Sequence, residues 1–300
     1  MPLPTEIATS RKRLSFFPLS RRSFLGLAAA AGVGALAVDG VVFEPNRPQV
    51  VRVEMALPRW PARLDGFTIA LLSDFHYDPH FSIHPLKAAI SMVHTLRPDL
   101  IALTGDFVSM NMLSTTDAAA AALAEPCAEL LGQLKAPFGL WAVLGNHDFF
   151  SDPVRVTSAL QAQGIPVLDN QSVPIERDGA RFWLSGVGDV LGGRARLETA
   201  LQSLPTGEAT ILLAHEPDYA DHVARYPVDL QLSGHTHGGQ VRLPFLPPLY
   251  LPEMAKKYVA GLYKIGPLTL YTNRGLGTIG IPVRLNCPPE VTLLTMRRGT

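Results

Sequence analysis

Phe67-Thr68-Ile69-Ala70-Leu71-Leu72-Ser73-Asp74-Phe75-His76 joins an uninterrupted nonpolar run to a carboxylate and an imidazole two residues apart. A run without polar alternation predicts a strand buried on both faces, as in a parallel sheet. The polar pair then falls just past the strand's C-terminal end, where open α/β sheets bind ligands. The arrangement recurs down the chain. Gly105-Asp106 follows a predicted strand at 100–103, Gly145-Asn146-His147-Asp148 follows 140–144, Ala214-His215-Glu216 follows 211–213, and Gly234-His235-Thr236-His237 follows 229–232.

Amphipathic stretches at 85–96, 117–134 and 153–163 predict helices between these strands. Such alternation marks βαβ units with right-handed crossovers and a largely parallel sheet. Further strands are expected at 165–168 and 181–185. Beyond Gln240, Gly- and Pro-punctuated segments at 268–272 and 291–296 predict a second sheet. With 26 basic and 26 acidic residues and 47% apolar content, the chain has neither the charge of a nucleic-acid-binding surface nor the composition of a disordered one. No nucleic-acid partner is expected.

Residues 1–38 read as a targeting segment, because Arg11, Lys12, Arg13, Arg21 and Arg22 precede an apolar run from 25 to 38. Ser20-Arg21-Arg22-Ser23-Phe24-Leu25 resembles the twin-arginine export signal, and Ala35-Leu36-Ala37 offers small residues for a signal peptidase. The run is shorter than the roughly 20 apolar residues that cross a bilayer, so it is expected to be a signal more than an anchor. The twin-arginine translocase is then a partner. The protein is expected to be exported, in a periplasm or on the outer face of the membrane, and tethered there if the signal stays uncleaved. Residues 39–61 read as a linker passing into an edge strand near 50–55, and 62–300 as one domain. Cys127 and Cys287 lie far apart in apolar contexts and are expected to be buried free thiols rather than a disulfide.

Carboxylate, amide and imidazole groups together suit two adjacent divalent transition ions. In an extended segment Asp74 and His76 face the same way while Phe75 turns into the core, and the same holds for His235 and His237 around Thr236. Gly105 and Gly145 let the backbone approach a ligand closely, and Asp106, with two oxygens, suits a bridge between ions. His80, His84, His94 and His222 read as surface, helix-end or packing residues.

The ordered set Asp-x-His, Gly-Asp, Gly-Asn-His-Asp, His and Gly-His-x-His resembles that of the calcineurin-like metallophosphoesterases, over about 67–243. Residues 73–77, 234–240 and 273–277 look like the bacterial exported phosphodiesterase branch. The resemblance implies a four-layer αββα sandwich of two mixed β-sheets flanked by helices. It also implies that Asp74, His76 and His237 hold one ion, that Asn146, His215 and His235 hold the other, and that Asp106 bridges them. His147 would contact the phosphate and protonate the leaving oxygen. Ser109 stands where some members carry an Asp that orients this histidine, which leaves open what orients His147. It also stands where purple acid phosphatases carry a metal-binding Tyr, which argues against ferric-tyrosinate chemistry.

The expected activity is hydrolysis of phosphodiesters, with phosphomonoesters as lesser substrates, by a hydroxide bridging two divalent ions (Mn, Fe or Zn). Two other readings are a pyrophosphatase on a lipid-linked nucleotide such as UDP-diacylglucosamine, and a non-catalytic metal-binding scaffold. The apolar stretch 243–251 reads either as ordinary core or rim, or as a lip that receives an acyl chain or a membrane surface. Lys256 and Lys257 could meet anionic headgroups, and Arg274 is a weak candidate for a phosphate contact.

Overall fold

The computed structural model describes residues 20–109 and 116–299. Its contacts divide the chain into Met1–Ala37 and Val38–Thr300. Arg11, Lys12 and Arg13 lie outside the described residues. Helix α1 (Arg21–Val38) contains no acidic residue in its first turn. Turns of π and 3-10 geometry then carry the chain on to Asn46. The run Arg21–Asn46 is therefore long and apolar enough to cross a membrane by length and composition, as either a signal sequence or an anchor. This corrects the expectation that the run is too short. The linker expected from residue 39 begins as helical turns, since the backbone stays helical through Asp39 and Gly40.

In the larger unit, β1 (Gln49–Leu57) and β2 (Thr68–Leu72) precede α2 (Ile83–Leu96) and β3 (Leu100–Leu103). Next come α3 (Asp117–Ala121), α4 (Ala124–Leu131), β4 (Leu140–Ala142), α5 (Asn146–Ser151) and α6 (Pro153–Ala162). Then follow β5 (Gln171–Arg177), β6 (Ala180–Gly186), α7 (Leu197–Leu201), β7 (Thr210–Leu213), α8 (Ala220–Val223) and β8 (Leu230–Ser233). The chain ends with β9 (Gly261–Ile265), β10 (Leu268–Thr272) and β11 (Glu290–Arg298).

These strands build two mixed sheets, ordered β1-β11-β2-β3-β4 and β5-β6-β7-β8-β10-β9. Within the first, β2, β3 and β4 run parallel while β11 lies antiparallel to β2. Within the second, β6, β7, β8 and β10 run parallel, and β5 and β9 are antiparallel edges. Strand alternation separates the layers. Ala70 and Leu72 face a core shared with α2, α4 and α6 through Ile90, Leu131 and Leu160. Ile69 and Leu71 face a second core that meets Leu184, Ile211 and Leu230 of the other sheet. Leu212 and Leu270 face a third, covered by Leu197 of α7 and Val223 of α8. The result is the expected helix-sheet-sheet-helix sandwich.

Three local expectations are corrected. The helix expected over 117–134 is two helices, because Pro126 lacks an N–H and its ring clashes with the carbonyl four residues back, at Ala122. The strand expected at 165–168 is reduced to one bridge between Ala142 and Val167, since Pro166 cannot donate to a ladder. The second sheet begins at β5, well before Gln240, and β11 returns to the first sheet between β1 and β2. Strand pairing over more than two hundred residues, as in Val53 with Leu294, leaves no local signature.

Candidate metal centre

Asp74 and His76 follow β2, Asp106 follows β3, Asn146 and His147 open α5 after β4, His215 follows β7, and His235 and His237 follow β8. The parallel ladders align these strand ends, and the residues meet. Asp74, His76 and His237 form one group whose ligand atoms lie within 4.8 Å of one another, and Asp106, His215 and His235 form another. Asp106 lies between them, its Oδ2 3.5 Å from His76 Nε2 and 3.1 Å from His215 Nε2. His76 Nε2 and His237 Nε2 approach to 2.8 Å.

The backbone reaches this geometry by a route the sequence does not announce. Asp74, His76, Asp106, His235 and His237 all have positive φ, between 38° and 70°. The pairs around Phe75 and Thr236 are therefore not extended, and left-handed turns, rather than strand alternation, bring each pair to one side. Such residues cost about 1–2 kcal/mol each. The strain is held by surrounding hydrogen bonds: Phe75 N and His76 N both donate to the Asp106 carbonyl, at 2.8 and 3.0 Å. Glycines supply the space. A Cβ on Gly145 would lie 2.3 Å from Asp106 Oδ1, and one on Gly234 would lie 1.8 Å from Ser73 Oγ.

Asp148 is the residue whose role the sequence reading left unassigned. Fully buried, its carboxylate accepts from Asp106 N and Gly145 N through Oδ2 and from Phe107 N and Val108 N through Oδ1. It thereby ties the Gly105-Asp106 turn to the start of α5, where His147 N donates to Asp106 Oδ1 at 3.0 Å. This lock fixes the backbone of His147. Ser109 Oγ finds no partner among the described residues and gives His147 no hydrogen bond. The His147 ring meets that of His76 edge-on, with centroids 5.0 Å apart.

Tautomers are set by backbone carbonyls. His215 Nδ1 lies 2.6 Å from the Thr104 carbonyl and donates to it, which turns the Nε2 lone pair toward Asp106. His235 Nε2 donates to the Glu253 carbonyl at 2.7 Å, leaving Nδ1 as the free lone pair. Burial pushes His76 down to about 3 and His235 down to about 4, so both imidazoles are neutral at pH 7. Burial, then the neighbouring His76 and Arg284, lowers His237 in the same direction. Burial raises Asp74 to about 7. Burial would raise Asp106 too, but His215 and His147 hold it well below the usual carboxylate range.

The donor set fits two divalent ions. Imidazole nitrogens, two carboxylates and an amide oxygen are donors that divalent transition ions accept. His76 Nδ1, Asn146 Oδ1, His215 Nε2 and His237 Nδ1 are buried without a partner among the described residues, and unpartnered buried polar atoms are costly unless a ligand uses them. His215 Nε2 faces Asp106 Oδ2 at 3.1 Å, and Asp106 outweighs burial in holding the imidazole well above its ordinary range, so an ion bound there would take the place of a proton.

Arg284 was not found from the sequence. Its guanidinium is fully buried and donates to the carbonyls of Gly277, Cys287 and Arg274. The only available signal was a charge inside the apolar run Ile281-Pro282-Val283-Arg284-Leu285. Arg274 pairs with Glu290 and is not free to meet a phosphate. Lys257 pairs with Asp221. Cys127 and Cys287 are buried free thiols, as expected. His80, His84, His94 and His222 belong to none of the ligand groups found among the described residues. The stretch 243–251 is not core: Phe245, Leu246, Leu249 and Tyr250 are exposed.

The centre opens into a cavity of 790 Å³ lined by Asp106, Asn146, His147, His235 and His237 at one end. Leu191, Val241, Leu249, Pro252, Ile279 and Val283 line the remainder.

Comparison with known proteins accounts for this architecture. Residues 67–239 match the Calcineurin-like phosphoesterase family, and the chain belongs to it. It is 36% identical to the Uncharacterized metallophosphoesterase YkuE of Bacillus subtilis, over 93% of this chain and 98% of that protein. It is also 36% identical to the Phosphodiesterase YaeI of Escherichia coli, over 93% of this chain and 99% of that one. A Transmembrane protein with metallophosphoesterase domain from Danio rerio is 32% identical over 93% of this chain and 63% of its own length.

Proposed function

We propose that this protein is a metal-dependent phosphodiesterase, with Asp74, His76 and His237 holding one divalent ion, Asn146, His215 and His235 the other, and Asp106 shared. The observation that carries the reading is that these residues, distant in sequence, cluster beside one cavity, with His76 Nδ1, Asn146 Oδ1, His215 Nε2 and His237 Nδ1 buried and without a partner among the described residues. The 36% likeness to a phosphodiesterase favours diesters over monoesters. Bound ions would supply Lewis-acid polarisation of the phosphoryl oxygens and a water of lowered pKa.

The chain's own residues do the rest. Burial keeps His76, His235 and His237 neutral and ready to coordinate, and Asp148 holds the Asp106 turn in register with α5. His147 is half-buried and lines the cavity, placed to give its proton to the leaving oxygen. In the net reaction one water adds across a P–O bond: its oxygen joins phosphorus, and the departing alkoxide takes a proton. The basic and apolar N-terminus supports export through the twin-arginine translocase and action on the outer side of a membrane.

The test is hydrolysis of a chromogenic phosphodiester and its monoester by metal-stripped protein reconstituted separately with Mn, Zn and Fe. Diester turnover that requires metal and falls by ~10³-fold in Asp106→Ala is the expected result. Stoichiometric metal binding without turnover of either ester would replace this reading with a metal-binding scaffold.

A further inference from the structure

The cavity is chemically two-sided. Its inner end is the metal centre, while Leu249, Tyr250, Ile279 and Ile281 make an apolar wall that no phosphate or nucleobase hydrogen-bonding pattern requires. The wall continues outward into solvent. Among the lining residues Leu249, Tyr250 and Ile281 are exposed, and Phe245, 105% exposed, and Leu246 precede Leu249 and Tyr250 in the same loop. Apolar side chains exposed beside a cavity mouth mark a contact with something apolar.

The chain itself indicates what that is. The apolar run long enough to span a bilayer ends in turns that are hydrogen-bonded to the segment carrying Ile281 and Val283. Arg284 N donates to the Gly40 carbonyl at 2.9 Å, and Asn286 N and Cys287 N donate to the Glu44 carboxylate. A Cβ on Gly40 would lie 3.1 Å from the Arg284 carbonyl, so this junction is close-packed. The residues immediately after the apolar helix are thus fastened to one wall of the cavity.

Resting on the phosphodiesterase reading above, we propose that these exposed apolar side chains sit in the surface of a lipid bilayer and that the substrate is a lipid phosphodiester drawn from it. The acyl chains lie along the apolar wall while the phosphodiester reaches the metal centre. Hydrolysis consumes one water, cleaves one P–O bond, and leaves a phosphomonoester and an alcohol.

The experiment uses the full chain, loaded with Mn, in vesicles of phosphatidylethanolamine and phosphatidylglycerol, with a water-soluble chromogenic diester as the second substrate. The variant F245D/L246D changes two residues that do not line the cavity. Vesicle phosphatidylglycerol hydrolysis should fall at least ~10-fold in the variant while soluble-diester turnover stays within ~2-fold. Turnover of the soluble diester with no attack on vesicle lipid, or an equal loss on both, overturns the proposal. If neither substrate is hydrolysed, it is the phosphodiesterase reading that fails, and a second measurement still decides the membrane contact. A fluorophore on Phe245→Cys should be quenched by spin-labelled phosphatidylcholine and one on Glu54→Cys should not; buried Cys127 and Cys287 leave the label specific. Equal quenching at both positions, or none at Phe245, overturns the membrane contact.

Discussion

The floor of the cavity and its rim use the same element of the fold, loops at the C-terminal ends of strands, in opposite ways. The floor is buried and strained, and its backbone turns are tied by hydrogen bonds. Asp74, His76, Asp106, His235 and His237 hold positive φ because Asp148, the Asp106 carbonyl and close-packed glycines leave them no alternative. The rim at 243–250 has exposed Phe and Leu side chains, with Leu246 N donating to the Leu243 carbonyl at 3.3 Å. Strain is affordable only where the surroundings over-determine the backbone. The floor can therefore hold ligands in a fixed array, whereas the rim presents a surface.

The sharpest way to break this comparison is the acid. His147→Ala should lower kcat on alkyl diesters by ~10²–10⁴-fold and on activated aryl diesters far less, because only a poor leaving group needs protonation. Equal losses on both would leave His147 with a positioning role only. Asp148→Asn tests whether the floor is pre-set. Replacing one acceptor oxygen by a donor disrupts bonds from backbone N–H groups, and metal affinity should drop ~10–100-fold by calorimetry. Unchanged affinity would show that the turn holds without the carboxylate.

Metal affinity should also depend on pH in a definite direction. Burial raises Asp74 to about 7, so below that pH a proton must leave before an ion binds, while His76 at about 3 and His235 at about 4 are already neutral. Burial would lower His215, but Asp106, by charge and hydrogen bond, holds it well above the usual imidazole range, so a second proton leaves there. Affinity should therefore fall as pH drops through 7, by at least ~10-fold per pH unit, and go on rising above it. A flat profile from pH 5.5 to 8 would mean that Asp74 is ionised and His215 neutral in the metal-free protein. The smallest effect compares one residue type in the two regions. Phe75, buried and stacked on Phe107 with centroids 5.1 Å apart, should lose ~3–5 kcal/mol of stability on truncation to Ala. Phe245→Ala should stay within ~0.5 kcal/mol in denaturant melts without lipid. A comparable loss at Phe245 would make the rim part of the core.

The sequence by itself determined the α/β class of the fold and pointed to residues that the structure brings together. Buried strands such as 67–72 announce themselves by apolar runs, and polar clusters past their ends mark one edge of the sheet, so the candidate site residues from Asp74 to His237 are legible as a group, while their roles as ligands come from the family resemblance. It also separated the two cysteines. Tertiary structure alone decided the rest. Whether β11 lies in the first or second sheet depends on pairing over more than two hundred residues, which carries no local signal. The ligand loops are left-handed, not extended, because neighbouring loops force them, and local alternation is silent about that. Arg284 is buried because carbonyls from three separate residues converge on it. The stretch 243–251 is apolar in either setting. Only its position outside the packed layers decides that it faces solvent, since hydrophobicity measures a residue's preference and the surrounding fold determines whether that preference is met.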